Sequence, residues 1–109
     1  MIVTILPYLE HIRDRFSDPS LQETFKNFTK TLQFEFPDTQ QSFLLTIVNG
    51  VATLEEKAIP DPDMKTIANT DVLAGIMDKK INPMTAFVTR KIKAQGAQED
   101  LLKLQKLML

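Results

Sequence analysis

Cysteine and tryptophan are absent from the 109 residues, which hold one histidine and three glycines. Without cysteine there is no disulfide framework, no thiolate metal site and no cysteine nucleophile. A single imidazole, His11, excludes a multi-histidine metal site. Gly50, Gly75 and Gly96 are too dispersed for a glycine-rich phosphate loop. No apolar run approaches the roughly 18 residues that span a bilayer. The opening Met1-Ile2-Val3-Thr4-Ile5-Leu6 lacks a basic flank and is cut by Pro7, so it does not read as a signal peptide. The expectation is one soluble, cytoplasmic domain over 1–109, with no metal and no cofactor.

A core is nevertheless within reach. Leu, Ile, Val and Phe make 34 of the 109 residues, well above the roughly 20% below which chains tend to stay disordered. The formal net charge of −1 hides an asymmetry. Residues 1–78 carry 6 basic and 12 acidic side chains, whereas residues 79–109 carry 7 basic and 2 acidic. Lys91 and Lys93 alternate with Ile92 and Ala94, as on a solvated strand face. Nucleic acid is not an expected partner, because Phe87 reads as core and no other aromatic lies among these lysines to stack on a base.

The periodicity changes along the chain. Ile2, Ile5, Leu6, Leu9, Ile12 and Phe16 recur at helical spacing, with Thr4 as the expected N-cap. Ser20 and Glu23 spell a capping box for a second helix carrying Leu21, Phe25 and Phe28. Leu32, Phe34 and Phe36 then alternate with polar residues as a strand. Asn49-Gly50 between two β-rich runs predicts a type I′ hairpin that pairs Val48 with Val51, Ile47 with Ala52 and Leu45 with Leu54. The face opposite Leu45 holds Leu44, Thr46, Val48, Val51 and Thr53, less polar than a solvated face should be, so a cover over it is expected. Met64 to Asn69 reads as a fourth strand, Thr70 or Asp71 as the cap of a short helix, and Asn82-Pro83 as the start of another. A fifth strand runs from Lys91 to Gln95, and Leu101, Leu104 and Met108 line a last helix. Helices, a strand meander, helices and strands in this order define an α+β class.

No catalytic constellation emerges. Ser17 and Ser20 flank a helix break, where capping explains them, and His11 falls on the polar side of the first helix. Asp61 and Asp63 sit in a proline-punctuated turn, where aspartate commonly bonds its own backbone. The chain is therefore not expected to be an enzyme. A pocket for an alkyl chain leaves no motif, since each buried CH₂ contributes roughly 0.8 kcal/mol whichever side chains line it.

From Phe25 onward the sequence resembles the sterol carrier protein type-two family of nonspecific lipid-transfer domains. Phe34 and Phe36, Asn49-Gly50, Pro62-Asp63, Thr70-Asp71, Lys80-Ile81-Asn82-Pro83 and Ala86-Phe87 carry the likeness in order. Lys91 to Gly96, then Leu101, Leu104 and Leu107, complete it. Two family glycines are replaced, by Lys79 before the Pro83 helix and by Arg90 before the last strand.

The resemblance implies a five-stranded, mostly antiparallel sheet with helices packed on one face and an apolar cavity between the layers. It implies a ligand among fatty acids, acyl-coenzyme A, sterols and phospholipids, carried without covalent chemistry. Carried over to this chain, Phe25, Phe34, Phe36, Leu45 and Ile47 would approach the cavity from the first half. Leu73, Ile76, Met77, Met84 and Phe87 would do so from the middle helices, and Leu101, Leu104 and Met108 from the last. The alternative is an interaction or dimerisation module, since the fold also occurs as an accessory domain in alkyl sulfatases and some acetyltransferases. The expected state is a monomer or weak homodimer. The last helix, with Lys103 and Lys106, is expected to lid the cavity and touch anionic membranes transiently.

Overall fold

The computed structural model describes residues 4–108, and the side chains of residues 4–103. Helices α1 (Leu6–Arg15) and α2 (Pro19–Phe25) precede strands β1 (Lys30–Phe36), β2 (Gln41–Val48), β3 (Val51–Glu55) and β4 (Met64–Ala68). Helices α3 (Thr70–Met77) and α4 (Pro83–Val88) follow, then β5 (Ile92–Gln95) and α5 (Gln98–Met108). The strand order is β3-β2-β1-β4-β5. Every neighbouring pair is antiparallel except β1 with β4. The fold is α+β with a mostly antiparallel sheet, as expected.

The β2–β3 hairpin has the register that Asn49-Gly50 predicts, with Val48 opposite Val51 and Leu45 opposite Leu54. Asn49 and Gly50 take φ of 50° and 81°, the left-handed pair a type I′ turn requires. The tip is also anchored. The Gly50 N–H donates to the Phe28 carbonyl (3.1 Å) and the Asn49 N–H to Thr29 Oγ1 (3.0 Å).

Alternation then sorts the sheet into two faces. On the front, Leu32, Phe34, Phe36, Phe43, Leu45 and Ile47 are all buried, beneath Leu9, Ile12, Phe25 and Leu73 from the helices. A second cluster, Ala68, Val72, Ile76 and Ala86, fills the β4–β5 end. On the back, Leu44 is buried although no helix covers it. Residues 56–63 cross from the β3 edge to β4 on this side of the sheet. The Ile59 N–H donates to Gln33 Oε1 (2.8 Å), and Gln33 is the cross-strand partner of Leu44. Gln33 Nε2 donates in turn to Glu35, which pairs with Lys65. The expected cover stops there: Val48 and Val51 at the hairpin end stay exposed.

Four local expectations are corrected. Thr4 does not cap α1: Ile5, drawn into the core, is the N-cap residue, and Leu6 turns out to solvent. Asp18, not Ser20, caps α2, because Pro19 occupies the first helical position; its carboxylate accepts from the Ser20 N–H and O–H. Neither Thr70 nor Asp71 caps α3. Asn69 holds the N-cap position, and Thr70 is buried with its hydroxyl donating to Asp38 (2.6 Å), in the β1–β2 turn. Asp63 does not bond its own backbone; it accepts from the Thr31 N–H and O–H and so locks β4 beside β1. The Asn82 cap of α4 is as expected, its side chain accepting from the Met84 and Thr85 amides.

Candidate functional site

The site has to be sought in the layer between helices and sheet, where aromatic density is highest. Phe34 and Phe36 stack on the front face with centroids 6.4 Å apart, and Phe36 meets Phe43 edge-on at 6.1 Å. From the helical side Phe16, Phe25 and Phe28 form a second run, with spacings of 4.8 and 5.4 Å. Strand alternation aims the first group inward, and the α2 stripe aims Phe25 at it.

Of the thirteen expected lining residues, Phe25, Phe34, Phe36, Leu45, Ile47 and Leu73 belong to one continuous buried cluster. Met77 and Leu101 are half-buried at its rim. Ile76 is buried too, in the second cluster. Leu104 and Met108 lie outside the residues whose side chains are described, as does Lys106. Phe16, Phe28, Phe43 and Met64 share the same cluster but were not among the expected lining residues. Alternation puts Phe43 on the face of Leu45 and Ile47, and the register sets it opposite Phe34.

Met84 and Phe87 are not brought to this layer. They are 63% and 55% exposed, and Val88 is 70% exposed. The core role expected of Phe87 is thus corrected. Helix α4 has six residues, and it packs through Ala86, whose small side chain allows close approach to α3 and β4. Met84, Phe87 and Val88 stand at i, i+3 and i+4, one contiguous stripe, and it points to solvent.

The rim is polar and charged. Lys30 Nζ reaches the buried Asp100 at the start of α5 (2.9 Å), and the contact raises the lysine above its ordinary value. Lys103 lies 5.4 Å from the Phe28 ring centre, within the range of a cation–π contact. One of the two lysines expected to meet a membrane therefore has an aromatic partner at the core's edge. The Tyr8 hydroxyl donates to Asp78 (2.8 Å), tying α1 to the end of α3, and that bond raises the phenol above its usual range. Two surface depressions of about 300 Å³ each flank α1, one between its C-terminal end and the hairpin tip, the other by Tyr8, His11 and Met77. Among the described residues no group of three or more His, Asp or Glu could hold a metal ion. No described helix is long and apolar enough to cross a membrane.

The five-stranded mixed sheet with its aromatic face under a helical layer is an α+β fold that known proteins share. The SCP-2 sterol transfer family model matches residues 9–109, and the chain belongs to that family. It is 29% identical over 111 residues to sterol carrier protein 2 of Gallus gallus, a match that covers 94% of this chain. The chain spans 20% of the length of that relative. Among solved structures it resembles palmitated SCP2L2 from Aedes aegypti, with a TM-score of 0.75 at 13% identity over 97% of this chain and 95% of that one. It also resembles the stereoselective inverting sec-alkylsulfatase Pisa1 from Pseudomonas sp., with a TM-score of 0.65 at 25% identity. That match covers 80% of this chain and 13% of the sulfatase. Membership of the family implies lipid binding or transfer.

Proposed function

We propose that the chain carries an apolar ligand without catalysing a reaction on it. The ligand would be a fatty acid, acyl-coenzyme A, a sterol-like molecule or a phospholipid, held between the helices and the front of the sheet. The observation that carries this reading is the coincidence of the family match, residues 9–109, with the aromatic layer. Phe25, Phe34, Phe36, Leu45, Ile47 and Leu73 are the lining residues proposed from that layer. The end of α3 at Met77 and the start of α5 at Leu101 lie at its rim, so a tail would enter at that rim.

The close packing of this layer suits the energetics. A pocket of about 300–1,000 Å³ kept dry and empty would cost on the order of 7–24 kcal/mol. That rivals the whole stability of a domain, about 5–15 kcal/mol. A carrier without cargo is therefore expected to close over the space, and binding exchanges side-chain contacts for contacts with the ligand.

The test is thermal unfolding in the presence of saturated fatty acids of increasing length, with native mass spectrometry of the freshly purified protein. A carrier is stabilised by ligand through mass action. Two further methylenes should tighten binding roughly tenfold, at about 0.8 kcal/mol each. Melting temperatures independent of chain length, with no lipid co-purifying, would refute the carrier reading. The likeness to a small part of the sulfatase favours the second reading, an accessory module within an enzyme assembly. Under that reading a partner protein, not a fatty acid, would raise the melting temperature.

A further inference from the structure

We propose that α4 and the two turns bracketing it form a docking surface for anionic lipid bilayers. Three observations converge on it. The first is the outward apolar stripe of Met84, Phe87 and Val88, each more than half exposed. The second is charge. Residues 79–98 hold five basic side chains and no acidic one. Lys79 and Lys80 precede α4, Arg90 and Lys91 follow it, all four are exposed, and among the described residues none of them is in an ion pair. A six-residue helix is about 9 Å long. Both basic pairs thus lie within about one Debye length of the stripe.

The third observation is backbone strain. Lys79 and Arg90 adopt φ of 62° and 61°, a conformation costly to any residue with a Cβ. Each sits just past a helix end in the same motif. The Lys79 N–H donates to Ile76 and the Lys80 N–H to Gly75; likewise Arg90 donates to Phe87 and Lys91 to Ala86. Glycine is the residue this position favours. A basic side chain stands there twice, and in each case the next residue is a lysine that already supplies a cation to the helix C-terminus. The helix ends alone do not account for the doubled charge, whereas an anionic surface does.

Charge and size select the occupant. A second copy of the chain docked through the same face would bring like charge to like. Three apolar side chains fall far short of the 20–30 residues a side of a standard protein interface. They suit shallow insertion among lipid headgroups, with lysine and arginine at the phosphates. This inference goes beyond carriage, since it concerns adsorption of the protein to the vesicle surface, read by co-sedimentation, and not removal of a lipid molecule from it.

Co-sedimentation with phosphatidylcholine vesicles, pure or mixed with phosphatidylglycerol, tests it at low and high salt. The protein should bind the mixed vesicles at low salt, leave them at high salt and ignore the neutral ones. The double variant Lys79→Gly/Arg90→Gly should partition about 20–30-fold more weakly, the effect of two juxtamembrane charges. Its fold should persist, because glycine adopts both φ values freely. Phe87→Ser should also weaken binding, whereas the remote pair Lys26→Gln/Lys57→Gln should change it several-fold less. Absence of wild-type binding to mixed vesicles would overturn the proposal. So would equal losses in the two charge pairs, or retention on nucleic acid without vesicle binding. Fatty acid uptake from solution reports the carrier reading and is measured separately.

Discussion

Replacing Gly50 by Ala is a sharp test of how the hairpin tip docks. Gly50 has φ of +81°, and a Cβ built there would stand 2.7 Å from the Phe25 carbonyl oxygen and 3.3 Å from its carbon. Both are backbone atoms of α2, so no side-chain rotation relieves the contact. The left-handed conformation costs an L-residue about 1–2 kcal/mol, partly offset by about 0.4–1 kcal/mol from a stiffer unfolded chain. Lifting the tip to clear Phe25 also stretches the Gly50–Phe28 and Asn49–Thr29 hydrogen bonds. Each of these contributes roughly 0.5–1.5 kcal/mol. The net loss is therefore about 2–4 kcal/mol. At roughly 4–8 °C per kcal/mol for a chain near this size, Tm should fall by about 8–32 °C. Thermal and urea unfolding followed by circular dichroism measure it, with a lowered midpoint at unchanged slope. Val51→Ala, one residue on and mostly exposed, should stay within about 0.5 kcal/mol of wild type. A Gly50→Ala variant as stable as the Val51 variant would refute both the turn type and the docking on α2.

Leu45 is fully buried between Leu32 and Leu54 on its neighbouring strands, and Leu45→Ala should cost about 2–5 kcal/mol by urea unfolding; an unchanged midpoint would mean the sheet faces are reversed. Burial pushes the Asp38 carboxyl up, but bonds from the Thr70 hydroxyl and amide and from the Asp38 and Thr39 amides hold it below its ordinary value. Its contribution is therefore complete above the ordinary aspartate range and is lost as pH falls through the depressed value; Asp38→Asn should flatten the acid limb of the stability curve. Lys30 has the opposite sign: its hydrogen bond to Asp100 raises it, so stability from this contact is complete below the ordinary lysine value and disappears as pH rises through the raised one. Melting temperature followed by circular dichroism should fall more steeply across that alkaline range for the wild type than for a Lys30→Met variant, and equal slopes would remove the role of this contact.

Several features were decided by local chemistry and could be read directly from the residues. Alternation placed Leu32, Phe34 and Phe36 on one face, and Asn49-Gly50 set the β2–β3 register, because a two-residue turn with two positive φ values leaves no other pairing. Asn82-Pro83 started α4 for an equally local reason, a cap followed by a residue that needs no amide partner. Where the chain goes next is a different matter. That β4 lies parallel to β1 depends on residues 56–63 crossing the back of the sheet, and only the folded chain shows Gln33 meeting Ile59 there. Asp38 reaches α3 from 32 positions away, which no spacing rule anticipates. The stripe of Met84, Phe87 and Val88 was legible as apolar, but not which way it faces. Ala86 wins the contact with α3 because the smaller side chain permits closer packing, and the larger ones turn to water. Lys79 and Arg90 show the division most clearly. The residues revealed that two glycines were replaced, and local hydrogen bonds at both helix ends hold the backbone in the glycine conformation, whereas the burial of Ala86 in the second cluster is what sets both charges beside an apolar stripe that faces solvent.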